Sequence, residues 1–303
     1  MLNDINQKLK TILSEENILR NEPLSKHTTF KIGGLADYFV TPTNKEELKL
    51  VMQACIESNI PYYIIGKGSN ILVGDKGYQG VIIQIYRKFD WIRIDNHLVT
   101  AGAGVMLAKL AREVAEHNLA GMQGESGIPG TLGGAVTMNA GAYGYEIKDY
   151  IVSATVLNRE GEIFTLQKEE LQLSYRTSII QKEDYIVVEA VFELPSGKKE
   201  DILAEMAELN RKRVEKQPLE YPSAGSTFKR PEGYFAGKLI MDAGLAGYRV
   251  GDIMVSEKHC GFVINVGNGT ASEVRQLIDD VKRIVYEKNQ ILLEPEVRFL
   301  GEF

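Results

Sequence analysis

Apolar residues recur along this chain with two different spacings, and the spacing separates predicted helices from predicted strands. In several segments they return every three or four positions, which predicts amphipathic helices. These segments are residues 2–13, 43–60, 107–118, 198–216, 235–243 and 270–284. Elsewhere, short apolar runs and alternating positions predict strands. The strand segments are residues 62–65, 81–86, 98–101, 151–157, 163–166, 186–192, 262–266 and 291–300, with 151–157 and 163–166 forming a hairpin and 291–300 interrupted by Pro295. Residues 25–42 are a further β-rich stretch, broken at Gly33 and Gly34.

Local polar residues indicate where some of these helices begin. Thr43 with Glu46, and Thr270 with Glu273, have the spacing of a capping box. In a capping box, two side chains satisfy backbone N–H groups that have no partner inside the helix. Pro61 ends the helix that Thr43 would begin, because proline cannot continue the hydrogen-bond ladder.

A change of composition at residues 195–197, Pro-Ser-Gly, is the clearest candidate for a domain boundary. Proline and glycine in succession are typical of a break between regular elements. The chain then continues at once as a highly charged helix. We therefore predict that a second domain begins at residue 196.

Glycine is densest between residues 121 and 144, which hold 8 of the 29 glycines. Glycine accepts positive φ angles and lets the backbone approach another group closely. A flexible linker would separate such glycines by polar residues. Here the intervening residues include Ile128, Leu132, Ala135, Val136 and Met138. Two interpretations fit: an ordered backbone whose N–H groups hold a flat or polyanionic group, or a structural turn beneath a sheet.

A second glycine-containing motif follows the predicted strand at residues 62–65. It reads Gly66-Lys67-Gly68-Ser69-Asn70. Two glycines followed by serine and asparagine can turn several N–H groups toward a phosphate. The motif matches neither the Walker A loop nor the Rossmann fingerprint, because Ile71 stands where a third glycine would be required. A β-turn that uses glycine only for its dihedral angles fits equally well.

Composition and charge narrow the classes of protein. The chain has 303 residues, of which 44% are hydrophobic and 25% charged, as in an ordinary globular protein. A net charge of −6 argues against an electrostatic nucleic-acid surface. The two cysteines, Cys55 and Cys260, have no metal-binding or disulfide spacing, which favours a reducing compartment. No apolar run is long enough for a membrane helix. We expect a cytoplasmic protein that needs no nucleic acid, membrane or obligate protein partner.

Three polar residues are candidates for chemistry. Arg176 precedes a buried strand and offers a rigid fork of donors to a carboxylate or phosphate. Ser226 follows two small residues, and Glu296 lies in the last predicted strand, where alternation would place it on one face with Glu294 and Arg298. Each also fits an ordinary role, as a paired surface charge or a turn serine. The four histidines lack the spacing of metal ligands, so we expect no metal site.

Six motifs follow one another across most of the chain, and together they carry a resemblance to a known family. They are SKHTTFKIGG, GKGSN, SGIPGTLGGAVTMNAGAYG, SYRTS, AGSTFKRP and LEPEV. As a set they resemble the UDP-N-acetylenolpyruvoylglucosamine reductases, which are flavoenzymes of bacterial cell-wall precursor synthesis. The resemblance runs from about Pro23 to Phe303. The length is similar to that of the shorter, second type of the family, which lacks an insertion and a substrate-clamping tyrosine loop.

The resemblance implies an α+β fold with an FAD-binding domain of the vanillyl-alcohol-oxidase-like type in two lobes. This domain would occupy residues 23–195, after an N-terminal helix at 1–22, and an α+β substrate domain would follow at 196–303. The first glycine motif would hold the FAD pyrophosphate, and the glycine-dense stretch would line the isoalloxazine. The implied cofactor residues are Gly66, Lys67, Gly68, Ser69, Asn70, Ser126, Gly127, Ile128, Pro129, Gly130, Gly133, Asn139, Ala140, Gly141 and Gly144.

The same resemblance implies the reaction and its residues. NADPH would reduce FAD, and the enolpyruvyl ether of a UDP-sugar would then accept the hydride. Arg176 and Glu296 match the positions that stabilise the developing negative charge, and Ser226 matches the proton donor. Tyr175, Lys216, Lys229 and Arg230 are implied substrate contacts; some relatives carry Lys-Asn where this chain has Lys229-Arg230. Two other functions stay open at this point: a flavin oxidase of the same fold, and a flavin- or nucleotide-binding module without turnover.

Overall fold

The computed structural model describes residues 2–303 and contains both helices and strands. The helices are α1 (Leu2–Ile12), α2 (Lys45–Glu57), α3 (Leu107–Glu116), α4 (Leu132–Met138), α5 (Ile147–Tyr150), α6 (Ile179–Lys182), α7 (Lys199–Lys216), α8 (Ala236–Asp242) and α9 (Ala271–Asn289). Short 3₁₀ turns occupy Glu15–Asn17, Leu24–His27, Arg87–Phe89 and Gly124–Gly127.

The strands are spread over most of the chain. They are β1 (Ile18–Pro23), β2 (Leu35–Val40), β3 (Tyr62–Ile65), β4 (Ile71–Val73), β5 (Tyr78–Gln84), β6 (Ile92–Asp95), β7 (Leu98–Gly102), β8 (Gly141–Ala142), β9 (Tyr145–Glu146), β10 (Ile151–Leu157), β11 (Ile163–Gln167), β12 (Ile186–Glu193), β13 (Ser223–Ser226), β14 (Arg249–Val250), β15 (Ile253–Val255), β16 (Phe262–Asn265) and β17 (Arg298–Leu300).

The chain divides into two compact units, which we call the first and the second unit. The first unit contains the chain up to Arg20, Tyr38–Lys67 and Gly80–Lys212. The second unit contains Asn21–Asp37, Gly68–Gln79 and Arg213–Phe303. Each unit is therefore assembled from three separate stretches of sequence. The domain limits expected from the sequence, at residues 22/23 and 195/196, remain a prediction.

The first unit is built around a five-stranded antiparallel sheet in the order β11-β10-β12-β7-β6. The predicted hairpin of β10 and β11 is confirmed, with Ser153 paired to Gln167 and Leu157 to Ile163. A second sheet has the order β1-β2-β5-β3, in which β3 and β5 run parallel. Of this sheet, the first unit contains all of β3 and parts of β1, β2 and β5. Apolar residues of α1, α2, α3 and α4 share one core with these strands. The strand ends and the loops that follow β3 and β7 are thereby held in place.

The second unit has a four-stranded antiparallel sheet in the order β13-β16-β15-β14. In addition, β17 pairs in parallel with β4, from Arg298–Ile71 to Leu300–Val73. Helices α8 and α9 contribute buried residues such as Ile240 and Leu277 to the core of this unit. Because β13 and the segment before β17 carry Ser226 and Glu296, this small core positions both side chains.

One predicted helix start is confirmed and one is wrong. Thr270 and Glu273 form the predicted capping box of α9, with Thr270 N donating to Glu273 Oε2 at 2.9 Å. At α2 the cap is Asn44, not Thr43: Asn44 Oδ1 accepts from Glu47 N at 2.9 Å. Glu47, rather than Glu46, then accepts from the Thr43 backbone N–H. The whole pattern is displaced by one residue because Asn caps as readily as Thr.

Two predicted β segments contain less strand than expected. In residues 25–42 only Leu35–Val40 is a strand. Phe30 and Ile32 are buried, but Lys31 has a φ of +56°, so their alternation comes from a buried loop rather than from a strand ladder. In residues 291–300 only Arg298–Leu300, after the predicted interruption, is a strand; before it, Pro295 forms an isolated antiparallel bridge with Phe228. The prediction that Glu294, Glu296 and Arg298 share one face of a strand therefore fails.

Candidate functional site

The loop at residues 66–70 leaves β3 at a place where the chain is closely packed. The carbonyl oxygen of Gly66 accepts a hydrogen bond from Gln84 Nε2 at 2.9 Å. A Cβ atom built on Gly66 would overlap Thr131 Oγ1. Only glycine fits here, because the first unit packs this loop against Thr131, in the middle of the glycine-dense segment.

Gly68 is restricted in a different way. Its φ is +66°, in the left-handed region that favours glycine, and a Cβ would overlap the backbone oxygen of His27. Its own carbonyl oxygen accepts from Thr29 N at 3.2 Å. The ammonium of Lys67 lies 5.5 Å from the centroid of the Tyr86 ring, a cation–π distance. Contacts with other residues of the protein therefore fix the conformation of this loop.

Asn70 connects this loop to the C-terminal segment within the second unit. Asn70 Nδ2 donates to the backbone oxygen of Glu296 at 3.1 Å, and Asn70 O accepts from Arg298 N at 3.0 Å. Ser69, its neighbour, is half-buried. Asn70 thus fixes the backbone of Glu296, one of the predicted catalytic residues.

The glycine-dense segment is more regular than either interpretation of its sequence required. It contains a 3₁₀ turn at Gly124–Gly127 and helix α4. At the start of α4, Leu132 N donates to Val105 O and Gly133 N donates to Ala103 O, both at 2.8 Å. A Cβ on Gly133 would lie 3.0 Å from the Cβ of Ala103. The glycine here permits close packing of α4 against the residues that follow β7.

The end of the 3₁₀ turn and the loop from it to α4 hold five of the predicted cofactor residues, at positions 126–130. Ser126 Oγ donates to Gln123 O at 2.7 Å, so its hydroxyl closes the turn. Ile128 N donates to Glu125 O at 2.9 Å. Of the five, Ser126 is buried, Gly127, Ile128 and Gly130 are half-buried, and Pro129 is exposed.

Glu125 is a residue of this turn that the sequence analysis missed. Its side chain is 1% exposed, and no other described residue offers a hydrogen bond to its Oε2 atom. The pKa of the Glu125 carboxyl is raised to about 7. Burial is the main cause, and the nearby carboxylates of Asp149 and Glu146 also raise the pKa. The available signal was that Glu125 is the only charged residue among the glycines and apolar residues of 121–144.

Arg176 occupies a tight turn closed by reciprocal 3.1 Å hydrogen bonds between Ser174 and Thr177. Its φ is +55°. Arg176 Nη1 donates to Asn139 O at 3.3 Å and Nη2 donates to Gly141 O at 3.1 Å. The structure thus brings together three residues that the sequence predicted separately. The exposed ring of Tyr175 lies with its centroid 5.3 Å from the Arg176 guanidinium carbon.

The remaining predicted residues of the segment lie around the short hairpin of β8 and β9. Ala140 N donates to Ala135 O at 2.8 Å, which completes the end of α4. A Cβ on Gly141 would overlap the backbone oxygen of Tyr145. Gly144 has a φ of +91° and is exposed, so glycine is needed there for the turn rather than for packing.

Ser226 and Glu296 lie on neighbouring segments of the second unit. Ser226 ends β13 and pairs with Phe262, next to an irregularity at Gly225, where φ is +77°. Glu296 N donates to Thr227 O at 2.8 Å, so the backbones of residues 227 and 296 are hydrogen-bonded. Ser226 is exposed and Glu296 is half-buried. Arg176, by contrast, belongs to the first unit.

The predicted substrate contacts are distributed over both units. Lys229 forms an ion pair with Glu294, and Arg230 lies with its guanidinium carbon 4.5 Å from the centroid of the Phe235 ring. Lys216 is exposed at the end of α7. Within residues 2–303, no group of three or more His, Cys, Asp or Glu side chains is arranged to hold a metal ion. In the same residues, no helix combines the length and apolar character needed to cross a bilayer.

Three of the predicted cofactor residues lie where the neighbouring chain leaves no room for a side chain. Gly66, Gly68 and Gly141 are positions where a Cβ would overlap neighbouring atoms, so only a bare backbone can follow this path. A backbone without side chains at such turns is what a dinucleotide cradle needs, since N–H groups can then approach a pyrophosphate or a ring.

Family models match two parts of the chain. A model described as "FAD binding domain" matches residues 36–167, which include every predicted cofactor residue. A model described as "UDP-N-acetylenolpyruvoylglucosamine reductase, C-terminal domain" matches residues 217–300. The second match contains Ser226 and Glu296.

Whole proteins are similar over the same range. A UDP-N-acetylenolpyruvoylglucosamine reductase of Lachnoclostridium phytofermentans is 59% identical over 306 aligned positions, covering 100% of this chain and 99% of the relative. The chain belongs to the UDP-N-acetylenolpyruvoylglucosamine reductase family. A second family member, from Agathobacter rectalis, is 53% identical over 96% of both chains. The crystal structure of the reductase from Thermus caldophilus matches 92% of this chain and 98% of its own, with a TM-score of 0.79 and 36% identity.

Membership of this reductase family confirms the expected fold class. The fold is a mixed α and β FAD-binding fold of the vanillyl-alcohol-oxidase-like class, followed by the family's C-terminal region. The resemblance found in the six motifs is thereby confirmed as well. FAD is the cofactor and NADPH the reductant that this family assignment supports.

Proposed function

We propose that this protein catalyses the NADPH-dependent reduction of UDP-N-acetylglucosamine enolpyruvate to UDP-N-acetylmuramate, a step of peptidoglycan precursor synthesis. The observation that carries this proposal is the 59% identity, over the full length of both chains, with a UDP-N-acetylenolpyruvoylglucosamine reductase. The reaction adds two hydrogens to a carbon–carbon double bond, one as a hydride and one as a proton. The overall balance is one NADPH and one proton consumed for each double bond reduced.

FAD binding is assigned to the two glycine-containing loops. Gly66, Gly68 and Asn70 would hold the pyrophosphate with Lys67 and Ser69, and residues 126–130, 133, 139–141 and 144 would line the ring. When bound, FAD supplies the redox chemistry, by accepting a hydride from NADPH and delivering it to the double bond of the substrate. The contribution of the chain is to bind the ring, orient the substrate and exclude water.

Arg176 and Glu296 are proposed to stabilise charge. Hydride addition to the enolpyruvyl group leaves a pair of electrons that spreads into the adjacent carboxylate. A guanidinium fixed in advance by two backbone carbonyls, as Arg176 is, stabilises such charge without reorganising during the reaction. Glu296, whose backbone is held by Thr227 and Asn70, would act through a hydrogen bond from its protonated carboxyl.

Ser226 is proposed to donate the proton. Its hydroxyl proton would pass to the carbon that carries the negative charge, and the resulting alkoxide would recover a proton from water. A hydroxyl is a weak acid, but a carbanion beside a carboxylate is a much stronger base, so position outweighs acidity. The exposed side chain of Ser226 at the end of β13 is consistent with this role.

Four further residues are proposed to contact the substrate. Tyr175, Lys216, Lys229 and Arg230 could bind its phosphates or carboxylate. Arg230, which replaces an asparagine of some relatives, would offer a charge-assisted hydrogen bond in place of a neutral one. Its contact with Phe235 restricts where that charge can be presented.

Two broader proposals accompany the reaction. We assign flavin binding to residues 23–195 and substrate binding to residues 196–303; the matched family models, at 36–167 and 217–300, fall inside these limits. We also assign the protein to the cytoplasm, since Cys55 and Cys260 are both buried free thiols, as in a reducing compartment.

The proposal is tested by separating the two half-reactions in Ser226→Ala. Reduction of the flavin by NADPH should stay close to the wild-type rate, because it needs no proton from this side chain. Turnover of the enolpyruvyl sugar should be lost. Ser223→Ala, in the same strand, is the matched control and should change neither. Normal sugar turnover by Ser226→Ala would remove Ser226 as the proton donor.

Measurements of air reoxidation and UDP-sugar binding on the wild-type protein address the alternative functions. Rapid reoxidation of the reduced protein by air, at a rate that the UDP-sugar does not change, would support a flavin oxidase. A colourless protein that binds UDP-sugars without consuming NADPH would support a binding module. Either result would overturn the proposed reaction.

A further inference from the structure

Asn139 is the residue on which α4 ends, and its side chain is completely buried. It has a φ of +42°, which asparagine tolerates better than most residues. Its Nδ2 donates to Ser174 O at 3.1 Å and to Glu146 Oε2 at 2.9 Å. Its Oδ1 accepts from Lys148 N at 2.9 Å. Both N–H groups of this amide are therefore used inside the first unit.

The backbone of Asn139 is connected to Arg176. Asn139 O accepts from Arg176 Nη1 at 3.3 Å. In addition, Ser174 O, which receives the Asn139 amide, also accepts from Thr177 N and so closes the turn that carries Arg176. One buried residue thus contacts both the side chain of Arg176 and the turn beneath it.

This turn needs support from its surroundings. Arg176 has a φ of +55°, a conformation that a residue with a side chain adopts only when other contacts impose it. The arginine side chain also has many rotamers, so an unsupported guanidinium would sample several positions. The contacts from Asn139 restrict both the backbone and the guanidinium.

We propose that Asn139 is a positioning residue for catalysis, whose amide fixes the Ser174–Thr177 turn and whose carbonyl orients the Arg176 guanidinium. This inference rests on the proposed function, in which Arg176 stabilises negative charge on the substrate. Asn139 acts through Arg176 and touches no reacting atom. Loss of its amide should therefore slow the half-reaction that needs Arg176 more than the one that does not.

Asn139→Asp is the test that best preserves shape, because aspartate has the same size and tolerates the same backbone conformation, while its carboxylate replaces the amide and removes the two N–H donors. The oxidation of reduced flavin by the enolpyruvyl sugar should slow on the order of tenfold to a hundredfold, as small misplacements of a catalytic group do. Because position 139 is also assigned to the ring side of the FAD site, the rate is expressed per bound flavin and compared with reduction of that same flavin by NADPH, which should slow much less. The control is Asn118→Asp, a second asparagine with positive φ, +59°, whose Oδ1 accepts from Lys199 N. It should change none of these quantities.

A paired substitution separates positioning from simple stability. The new carboxylate of Asn139→Asp would face the Glu146 carboxylate and could destabilise the fold. Adding Glu146→Gln restores a hydrogen bond between positions 139 and 146 with the donor reversed, but it leaves Ser174 O without its donor from position 139. We expect the pair to recover most of the melting temperature lost in Asn139→Asp, apart from the small contribution of the partly exposed Glu146–Lys148 ion pair, while sugar turnover per bound flavin stays low. Recovery of turnover with stability would mean that Asn139 is only structural, and would overturn the proposal.

The role of Arg176 is tested separately with Arg176→Ala. If Asn139 acts through Arg176, then Asn139→Asp should cause little further loss of sugar turnover in the Arg176→Ala background. An equal further loss there, or normal turnover by Asn139→Asp alone, would overturn the inference. Normal turnover by Arg176→Ala would instead remove the charge-stabilising role of Arg176. Absence of sugar turnover in the wild-type protein would refute the proposed function itself.

Discussion

Glu125 carries a carboxyl group that the fold removes almost completely from water. Its pKa is raised from an ordinary 4.5 to about 7, first by burial and then by the carboxylates of Asp149 and Glu146. Between these two values the folded state holds a proton that the unfolded state has released. The free energy of unfolding should therefore decrease as the pH rises from about 4.5 to 7, and then become constant.

Glu125→Gln tests this directly. The substitution replaces a group that is ionised at high pH by a neutral one of similar size. It should raise the free energy of unfolding at pH 8 by up to about 3 kcal/mol, which is the energy of a shift from 4.5 to 7. At pH 4.5 it should have little effect. Urea denaturation at both pH values measures this, with Glu193→Gln, an exposed carboxyl at the end of β12, as the control. A uniform effect at both pH values would show that the carboxyl titrates normally.

A substitution at Gly68 tests whether the loop at residues 66–70 binds the flavin. Gly68→Ala places a Cβ against the backbone oxygen of His27 in a residue with a φ of +66°, so the loop must move. We expect flavin bound per chain to fall strongly and the melting temperature to decrease. Gly134→Ala is the matched control: it lies in α4, where the nearest atom to its Cβ would be Thr131 Oγ1 at 3.7 Å. That change should stabilise the protein by about 0.5–1 kcal/mol and leave flavin binding intact. Full flavin content in Gly68→Ala would contradict the assigned cradle.

The Asp75 carboxylate caps the N-terminus of helix α9. Its carboxylate accepts from Ala271 N at 2.8 Å, Ser272 N at 2.9 Å and Ser272 Oγ at 2.6 Å. Burial alone would raise the pKa of Asp75, but these hydrogen bonds lower it below its ordinary value. Its stabilising effect is therefore present above the unfolded pKa and is lost as the pH falls through the lower folded value.

Asp75→Ala should decrease the free energy of unfolding by about 1–2 kcal/mol at pH 7, the usual cost of losing a helix cap. The loss should disappear at strongly acidic pH. Asp279→Ala, an exposed position within α9, is the control and should not destabilise. Chemical denaturation over pH checks both variants, and equal stabilities of Asp75→Ala and wild type at pH 7 would refute the capping role.

Elements that are stabilised by residues close in sequence were predictable, and elements that are stabilised by tertiary contacts were not. The start of α9 was predictable because Thr270 and Glu273 are three residues apart and an apolar stripe follows them. The α4 helix was hidden by glycines that are poor helix formers, because it is stabilised by contacts with Ala103 and Val105. The buried loop at 30–32 imitates a strand for the same reason: its apolar residues are buried by tertiary packing.

The site shows the same division. The motifs predicted the loops that would hold a flavin, because glycines with special dihedral angles leave a local pattern. The hydrogen bond between Arg176 and Asn139 joins residues that are 37 positions apart in the sequence, so it produces no local sequence pattern. Glu125 was missed because a single acidic residue does not reveal whether its side chain points to solvent or into the core.

At the scale of the whole molecule, family membership and the proposed reaction depend on different observations. The family follows from similarity over the full chain and to a solved structure. The reaction assigned to individual residues depends on how Ser226, Glu296 and Arg176 act on one substrate. Only a measurement on the complete protein with its cofactor addresses that assignment.

The most direct measurement is the visible absorption spectrum of the purified protein without oxygen, recorded before and after stoichiometric NADPH and again after the enolpyruvyl sugar. We expect a flavin band in the isolated protein, its loss with NADPH, and its return when the UDP-sugar is added, with one sugar reduced per flavin. A protein without the flavin band, or a reduced band that the sugar does not restore, would contradict the account.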